Sequence, residues 1–251
     1  MPAQYILPIV LMALLGGYSL WMVRRRKAGT GPAFRLFFER TGYRYAGMEG
    51  ATIEQQVAHG ESLAANYGRG GQQTHMVRDF HGVPIHWQNA TTVNKSGGWS
   101  MSCTWSMPLA QPARSLVQIA DKSLSGVGKA VKEAFSNMER HWKPEYPTRV
   151  DSGDPELDAR FQFYCHDTAA VQRVALAPGV KELLLGCAEV DLTVAPQQVV
   201  FSDPMQKNVR AGMGGTIGMM ATGGNMERHM ELSIPVHDRI AELLATVARA
   251  A

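Results

Sequence analysis

The residues best able to do chemistry in this chain stand together at Cys165-His166-Asp167, which supply a thiol, an imidazole and a carboxylate in a row. A cysteine nucleophile needs a base within hydrogen-bonding distance of its sulfur. Phe161, Phe163 and Cys165 alternate with other residues as a strand does, and neighbouring strand residues point to opposite faces. Because Cys165 and His166 cannot pair directly in a regular strand, we predict that Cys165 is a core thiol and not a nucleophile.

A glycine-rich stretch over residues 212–218, GMGGTIG, has the composition of a phosphate-binding loop. It lacks the spacing of a dinucleotide-binding fingerprint because Ile217 stands where the last glycine belongs, and the chain has no GK[ST] for a P-loop. We therefore interpret the stretch as a loop. The histidines also lack the i, i+4 spacing of a helical metal site, and the sequence predicts no cofactor.

The acidic stretch DSGDPELD, residues 151–158, contains four carboxylates in eight residues. A calcium loop takes ligands at alternate positions and has its glycine in sixth place, whereas Gly153 is third here. The other interpretation is a turn in which Asp154 precedes Pro155. A site near this stretch that forms only in three dimensions stays open as an alternative.

Residues 205–230 contain six methionines and six glycines but no aromatic residue. Unbranched thioether side chains adapt to irregular apolar partners, and an apolar loop left in water would be an unprotected patch. The segment is predicted to pack on its own domain, on a neighbouring protein or on the membrane surface. The residues predicted to bind a partner are Met213, Met219, Met220 and Met226.

Two helices are predicted ahead of the first strands. Residues 32–40, PAFRLFFER, form a brief helix that ends at Thr41-Gly42. Thr52 and Gln55 have the spacing of a capping box, which begins a second helix. Gly60 inside this helix is unfavourable by about 1 kcal/mol relative to alanine and predicts a close backbone contact. The apolar face of the second helix is predicted to hold Ile53, Val57, Leu63 and Tyr67.

Residues 73–108 change to a period of two, which is typical of antiparallel strands with one buried face. The clearest strand is WSMSCTWSM, and its inward residues are predicted to be Trp99, Met101, Cys103, Trp105 and Met107. Val83, Ile85 and Trp87 form a second such face. Turns at His81-Gly82 and residues 94–98 join these strands into a meander.

Helices and short strands alternate after the meander. Val127, Val131, Phe135 and Met138 mark an amphipathic helix, Asp167 caps another, and a third ends at Gly186. A last helix is predicted from Pro235, capped by Ser233. With about seven strands in total, the pattern predicts an α+β domain with a mostly antiparallel sheet and helical insertions. The strand count and the closing helix resemble a pleckstrin-homology-like barrel.

Residues 5–23, YILPIVLMALLGGYSLWMV, contain no charged side chain. At about 1.5 Å per residue the run is roughly 28 Å long, close to the hydrocarbon thickness of about 30 Å. A cleaved signal peptide has its positive charges before the apolar run, whereas here they follow it, and a buried core helix is rarely apolar on every side. We therefore predict a transmembrane helix, with Tyr18, Trp21, Arg24, Arg25, Arg26 and Lys27 at the membrane interface.

The same basic cluster orients the span, because lysine and arginine beside a span stay on the cytoplasmic side. Residues 1–4 are then outside, residues 24–31 form a basic juxtamembrane linker, and residues 32–251 form a cytoplasmic domain. The three cysteines lack the spacing of a disulfide framework, which agrees with this orientation.

Composition excludes some classes of protein. Apolar residues make up 45% of the chain and charged residues 19%, so a packed core is expected and disorder is not. The formal net charge is +3, and four positive charges belong to the juxtamembrane cluster. The remaining domain is nearly neutral, which argues against a nucleic-acid-binding protein.

A segment from Gly153 to Phe161, GDPELDARF, is followed by a short strand, an aspartate and the leucine-rich VKELLLG. Over about fifty residues this arrangement resembles a segment of uncharacterised membrane-anchored bacterial proteins that carry a cytoplasmic domain of unknown function. The resemblance implies a bacterial inner membrane and no particular activity.

These observations predict a single-pass accessory or scaffold subunit whose cytoplasmic domain binds other proteins of a membrane complex. The anchor places the chain in a membrane, and no recognised catalytic spacing occurs in the sequence, so an enzyme is the less favoured interpretation. The alternative is a membrane-tethered enzyme or small-molecule-binding domain whose site is not visible in the sequence.

Overall fold

The computed structural model describes residues 31–65, 72–93, 99–122, 148–203, 207–208 and 226–251. The predicted membrane span, its interface residues and the predicted helix at Val127–Met138 lie outside these residues. Among the helices of the described ranges, none is both long and apolar enough to cross a membrane.

The described residues form an α+β fold with one large antiparallel sheet, which confirms the predicted fold class. The strands are β1 (Arg44–Tyr45), β2 (Gln72–Phe80), β3 (Val83–Val93), β4 (Trp99–Pro108), β5 (Val117–Asp121), β6 (Thr148–Val150), β7 (Phe161–Cys165), β8 (Asp191–Val194) and β9 (Gln198–Asp203). The helices are α1 (31–41), α2 (Ile53–Ala65), α3 (Pro155–Arg160), α4 (Thr168–Ala175), α5 (Val180–Gly186) and α6 (Met226–Ala250).

The order of the sheet is β1-β2-β3-β4-β9-β8-β5-β7-β6, so the described part has nine strands where the sequence predicts about seven. The predicted meander is present as β2, β3 and β4. Its first turn is tight, with His81 and Gly82 at φ values of 54° and 80°, as a two-residue hairpin requires. The central pairing joins β4 to β9, strands that lie far apart in the sequence.

One row of paired residues crosses all nine strands and faces the helices. Its members are apolar or aromatic, and they are Tyr45, Met76, Trp87, Trp105, Phe201, Leu192, Ile119, Phe163 and Val150. Residues of α3, α4, α5 and α6 pack against the larger part of this face, and α1 and α2 pack against its β1–β3 end. The described helices therefore form a single layer on one side of the sheet.

The predicted alternation of WSMSCTWSM is confirmed where side chains are described. Cys103, Trp105 and Met107 are buried, while Ser102, Thr104 and Ser106 on the other face are half-buried. The side chains of Trp99 and Met101 lie outside the described set. Cys165 is likewise buried on the core face of β7, as predicted.

The start of α2 has the capping box that the sequence predicts. The Gln55 side chain accepts from the Thr52 amide at 2.8 Å, and the Gln55 amide donates to Oγ1 of Thr52 at 3.3 Å. Gly60 makes the predicted close contact, because a Cβ there would lie 2.9 Å from the Tyr45 hydroxyl. The first helix also ends as predicted, with Gly42 at φ 72° donating to the Phe38 carbonyl.

The predicted apolar face of α2 is wrong at Ile53, which is exposed, whereas Gln56 is buried. The reason is a backbone requirement of β1. The Gln56 side chain accepts from the Tyr45 amide at 2.9 Å and donates to the Met48 carbonyl at 2.6 Å. A buried polar side chain needs hydrogen-bond partners, and Gln56 has two. The side of α2 that holds Gln56 is therefore buried in place of the side that hydrophobicity alone predicts.

The predicted start of the last helix at Pro235 is also wrong, since α6 begins at Met226 and continues through Pro235. A proline inside a helix removes one backbone hydrogen bond and usually breaks the helix. Here Met230 and Ile234 pack on the aromatic cluster of α1 and β1, and Oγ of Ser233 donates to the Met230 carbonyl at 2.8 Å. Tertiary packing holds the turn before Pro235 in helical form.

Candidate functional site

The Cys165-His166-Asp167 run does not form a catalytic group. Cys165 is buried, whereas His166 and Asp167 are exposed. Oδ1 of Asp167 accepts from the Ala169 amide at 3.0 Å and so caps α4. The thiol receives a hydrogen bond from the Asp167 backbone amide at 3.3 Å and has no base beside it in this run. Cys165 and Asp167 therefore have structural roles, and His166 is exposed.

The acidic stretch DSGDPELD begins α3 and attaches it to its neighbours. Oδ1 of Asp154 accepts from the amides of Glu156 and Leu157 at 2.9 and 3.1 Å, and Lys181 binds its Oδ2 at 2.6 Å. The Lys181 ammonium holds the pKa of the Asp154 carboxyl below its usual range. Asp158 in turn accepts from the Ser152 amide at 2.8 Å. These carboxylates bind the protein's own donors, so the stretch is a built turn and not a calcium loop.

The end of the same motif fixes the end of α5. Arg160 donates from Nε to Asp121 at 3.1 Å, from Nη1 to the Leu185 carbonyl at 2.8 Å and from Nη2 to the Cys187 carbonyl. Arg239 of α6 donates to the carbonyl between them, Gly186, at 2.7 Å. Two arginines therefore occupy three successive carbonyls at the C-terminus of α5. The GDPELDARF motif is explained by this architecture.

A buried polar cluster that the sequence analysis missed lies between the helices and the sheet. His237 of α6 is 2% exposed, and its Nδ1 accepts from Nε1 of Trp105 at 3.1 Å. The rings of Phe37, Tyr43 and Trp87 surround it at centroid distances of 4.8 to 5.5 Å. Burial lowers the pKa of His237 to about 3, with a smaller contribution from the positive charge of Arg78, so the imidazole is neutral.

Arg78 closes one side of this cluster. It is 4% exposed, pairs with Asp238 at 2.7 Å and donates to the carbonyls of His237 and Thr41. Its guanidinium also lies 4.9 Å from the centre of the Tyr43 ring. The cluster thus joins α1, β2, β4 and α6, and we interpret it as a structural centre. Sequence spacing gave no signal for it, because its members are far apart in the chain.

The opposite face of the sheet has an unusual composition. We call it the open sheet face and define it by the outward residues of β3, β4, β9, β8, β5 and β7: Pro84, His86, Gln88, Ala90, Ser102, Thr104, Ser106, Pro108, Gln198, Val200, Ser202, Asp191, Thr193, Gln118, Ala120, Gln162 and Tyr164. No helix of the described residues packs on it. Over these six strands it contains hydroxyls and amides but no lysine, arginine or glutamate, whereas Arg44 of β1 and Arg149 of β6 lie on the same side at the two edges of the sheet.

Ionisable groups on this face are few and tend toward the neutral form. Burial raises the pKa of Asp191, against the effect of a hydrogen bond from Gln118. His86 lies 3.0 Å from His75 of β2, Nδ1 to Nε2, and burial together with the His75 charge lowers the pKa of His86. This pair is not a metal centre by itself, since the described residues hold no group of three or more potential ligands. The face is polar and almost uncharged.

The three cysteines are all buried. Burial raises the pKa of the Cys187 thiol to about 11, although Arg239 and Arg160 oppose the shift. A thiol with such a pKa is not a nucleophile near neutral pH. The described part of the chain therefore shows no activated cysteine at this position.

The remaining predicted site residues cannot be placed. Tyr18, Trp21, Arg24, Arg25, Arg26 and Lys27 lie outside the described residues, as do Met213, Met219 and Met220. Met226 is the first residue of α6, and its side chain is not among those described.

No known protein-family profile matches the chain, and no curated protein matches it. Among solved structures, the mycobacterial trehalose monomycolate transport factor A, TtfA, is similar with a TM-score of 0.37 and 10% sequence identity. The match covers 84% of this chain and 96% of that chain. A likeness at this level carries no inference about function.

Proposed function

We propose that this chain is a single-pass accessory or scaffold subunit of a membrane complex, and that its α+β domain binds another protein across the open sheet face. The observation that carries the proposal is the near absence of charge on that face. A well-solvated surface is designed with roughly 25–35% charged residues, whereas the core of a protein interface is depleted of them.

The chemistry of the face suits a protein partner. Ser102, Thr104, Ser106 and Ser202 present short hydroxyls that both donate and accept, and they lose little conformational entropy when covered. Gln88, Gln118 and Gln162 add amide groups of the same dual character. A partner's backbone and polar side chains can therefore be satisfied without burying an unpaired charge, which would be costly.

Other parts of the proposal rest on the sequence. Residues 5–23 supply the anchor, the basic residues 24–27 keep the domain in the cytoplasm, and the likeness to membrane-anchored bacterial proteins suggests an inner membrane. A second contact through Met213, Met219, Met220 and Met226 remains a prediction. The likeness to a pleckstrin-homology-like barrel is also a prediction, although β1 and β6 are not paired with each other in the described sheet.

A membrane-tethered enzyme is the second candidate, and the described site geometry gives it less support. The Cys165 run, the acidic stretch and the His237 cluster are each explained by structural contacts.

Site-specific photocrosslinking in cells tests the proposal. A photoreactive amino acid is placed at Ser106, in the middle of the open sheet face, and as a control at Ala169, which is exposed on α4. We expect a discrete crosslinked protein from position 106 and none from position 169. Equal products from both positions, or none from either, would contradict the assignment of the face.

A further inference from the structure

A cavity of about 400 Å³ lies between the end of α5 and one side of α6, on the helical layer of the protein. Val236 and Ile240 of α6 and the side chain of Cys187 form apolar walls, and Ala188 and Arg239 line it from more exposed positions. A volume of this size is within the range of roughly 300–1,000 Å³ that small-molecule sites occupy.

Among the described residues that line this cavity, Arg239 is the only charged one. It donates from Nη1 to the Gly186 carbonyl at 2.7 Å and has no carboxylate partner in the described part of the chain. A guanidinium has five N–H donors, so most of its hydrogen-bonding capacity is available. The C-terminus of α5, whose partial charge is negative, borders the cavity at Gly186. Its last carbonyls already accept hydrogen bonds from Arg160 and Arg239, whose positive charges offset it.

Two nearby carboxylates have partners of their own, although Oε2 of Glu189 has none among the described residues. Glu189 is 2% exposed and pairs with Lys207, and Asp203 accepts from the amides of Lys207 and Asn208 at 2.7 and 3.0 Å. Cys187 donates its thiol hydrogen to the Leu183 carbonyl and stays uncharged. The cavity therefore offers one cation against an apolar wall.

We propose that this cavity binds an aliphatic carboxylate, with Arg239 holding the carboxylate and Val236 and Ile240 contacting the aliphatic part. Charge-assisted bonds from arginine to a carboxylate are among the strongest in proteins and are often bidentate. The site is separate from the open sheet face, so it goes beyond the proposed function. Two sources share this chemistry: a free short-chain acid, and the last residue of a polypeptide.

Two matched pairs of water-soluble probes test the proposal on the full chain in lipid nanodiscs, with empty nanodiscs as the blank. They are 4-methylpentanoate with its amide, and N-acetyl-leucine with its amide. Dissociation constants are measured by ligand-observed NMR. We expect at least one acid to bind about tenfold more tightly than its amide, and the tighter acid identifies the source. Equal binding of acid and amide, or no binding of either acid, would overturn the proposal.

Three variants locate the site. Arg239→Gln should weaken binding of the acid about tenfold while leaving the amide unchanged, and Ala188→Phe should block both by filling the cavity from an exposed position. Arg149→Gln is the control. Arg149 is exposed on β6, where it is the strand-pairing partner of Tyr164, on the side of the sheet that faces away from the helices and the cavity. If the acid binds Arg239→Gln as tightly as the wild-type protein, the binding site lies elsewhere and the assignment is overturned.

Discussion

The indole N–H of Trp105 on β4 donates to Nδ1 of His237 on α6 at 3.1 Å. This bond connects the sheet to the helical layer, since Trp105 is in the row that crosses the sheet and α6 lies over β4 and β9. Both residues are buried. A buried indole and a buried imidazole each need a partner, and here each satisfies the other.

We predict that Trp105→Ala lowers the free energy of unfolding by about 3–5 kcal/mol, as loss of a large buried aromatic usually does. The change also leaves Nδ1 of His237 without its donor. Thr104→Ala, one residue away on the open sheet face, should cost less than about 1 kcal/mol. Denaturant titration of both variants measures the difference, and equal losses would mean that β4 is buried on both sides.

The stability of the fold should depend on His237 below neutral pH. Its pKa is about 3 in the fold against an ordinary 6.5, so the unfolded chain binds a proton that the fold excludes. The contribution of neutral His237 to the free energy of unfolding is therefore complete above pH 6.5, and it is lost progressively as the pH falls from 6.5 toward 3. Other groups also titrate in this pH range. The effect of His237 is therefore isolated by comparing the unfolding free energy of the wild-type protein with that of His237→Asn.

Asparagine can still accept from the Trp105 indole but does not titrate. We expect the difference in unfolding free energy between the wild-type protein and His237→Asn to fall by about 1.4 kcal/mol between pH 7.5 and 5.5. Parallel curves for the two proteins over this range would show that His237 is not held neutral by burial.

Loss of the arginine that binds the end of α5 should destabilise the domain. Arg160→Met removes one ion-pair partner of Asp121, which is mostly buried, and two carbonyl contacts. We expect a loss of about 2–3 kcal/mol. Arg173→Met, at an exposed position of α4, is the control and should stay within about 0.5 kcal/mol. A similar result for both would remove the structural role assigned to GDPELDARF.

The proposed orientation has its own test. A reporter fused after Ala251 that fluoresces only in the cytoplasm should be active, because the basic residues 24–27 hold the following domain on that side. Moving these residues ahead of residue 5 should invert or scramble the topology. Activity of a periplasm-only reporter on the unaltered chain would show that the orientation is wrong.

Local patterns predicted the elements whose contacts are local. The Thr52–Gln55 capping box, the alternation through Trp105 and the contact at Gly60 depend on neighbours in the chain or on one buried face. The strand order could not be predicted, because β4 pairs with β9, almost a hundred residues away. Nothing in the residues of β4 or of β9 specifies that the two strands pair.

The errors have the same cause. Ile53 is exposed because Gln56 serves the backbone of β1, and α6 passes Pro235 because Met230 and Ile234 pack on another part of the chain. His237 belongs to an apolar stripe by position, and only its contact with Trp105 reveals its role. The open sheet face was implicit in the serines of WSMSCTWSM, but its extent needed the register of six strands.

The central claim is that the open sheet face binds a protein, and a charge placed there tests it most directly. Thr104→Lys puts an ammonium opposite Gln88 and Ser202, where a partner would have to desolvate it. Ala169→Lys adds the same charge to the exposed surface of α4.

The measurement is the amount of protein that co-purifies with each full-length variant in mild detergent, together with its thermal midpoint. We predict at least a tenfold loss of co-purified protein for Thr104→Lys alone, with both midpoints near that of the wild-type protein. Full recovery of the same protein with Thr104→Lys would contradict the claim.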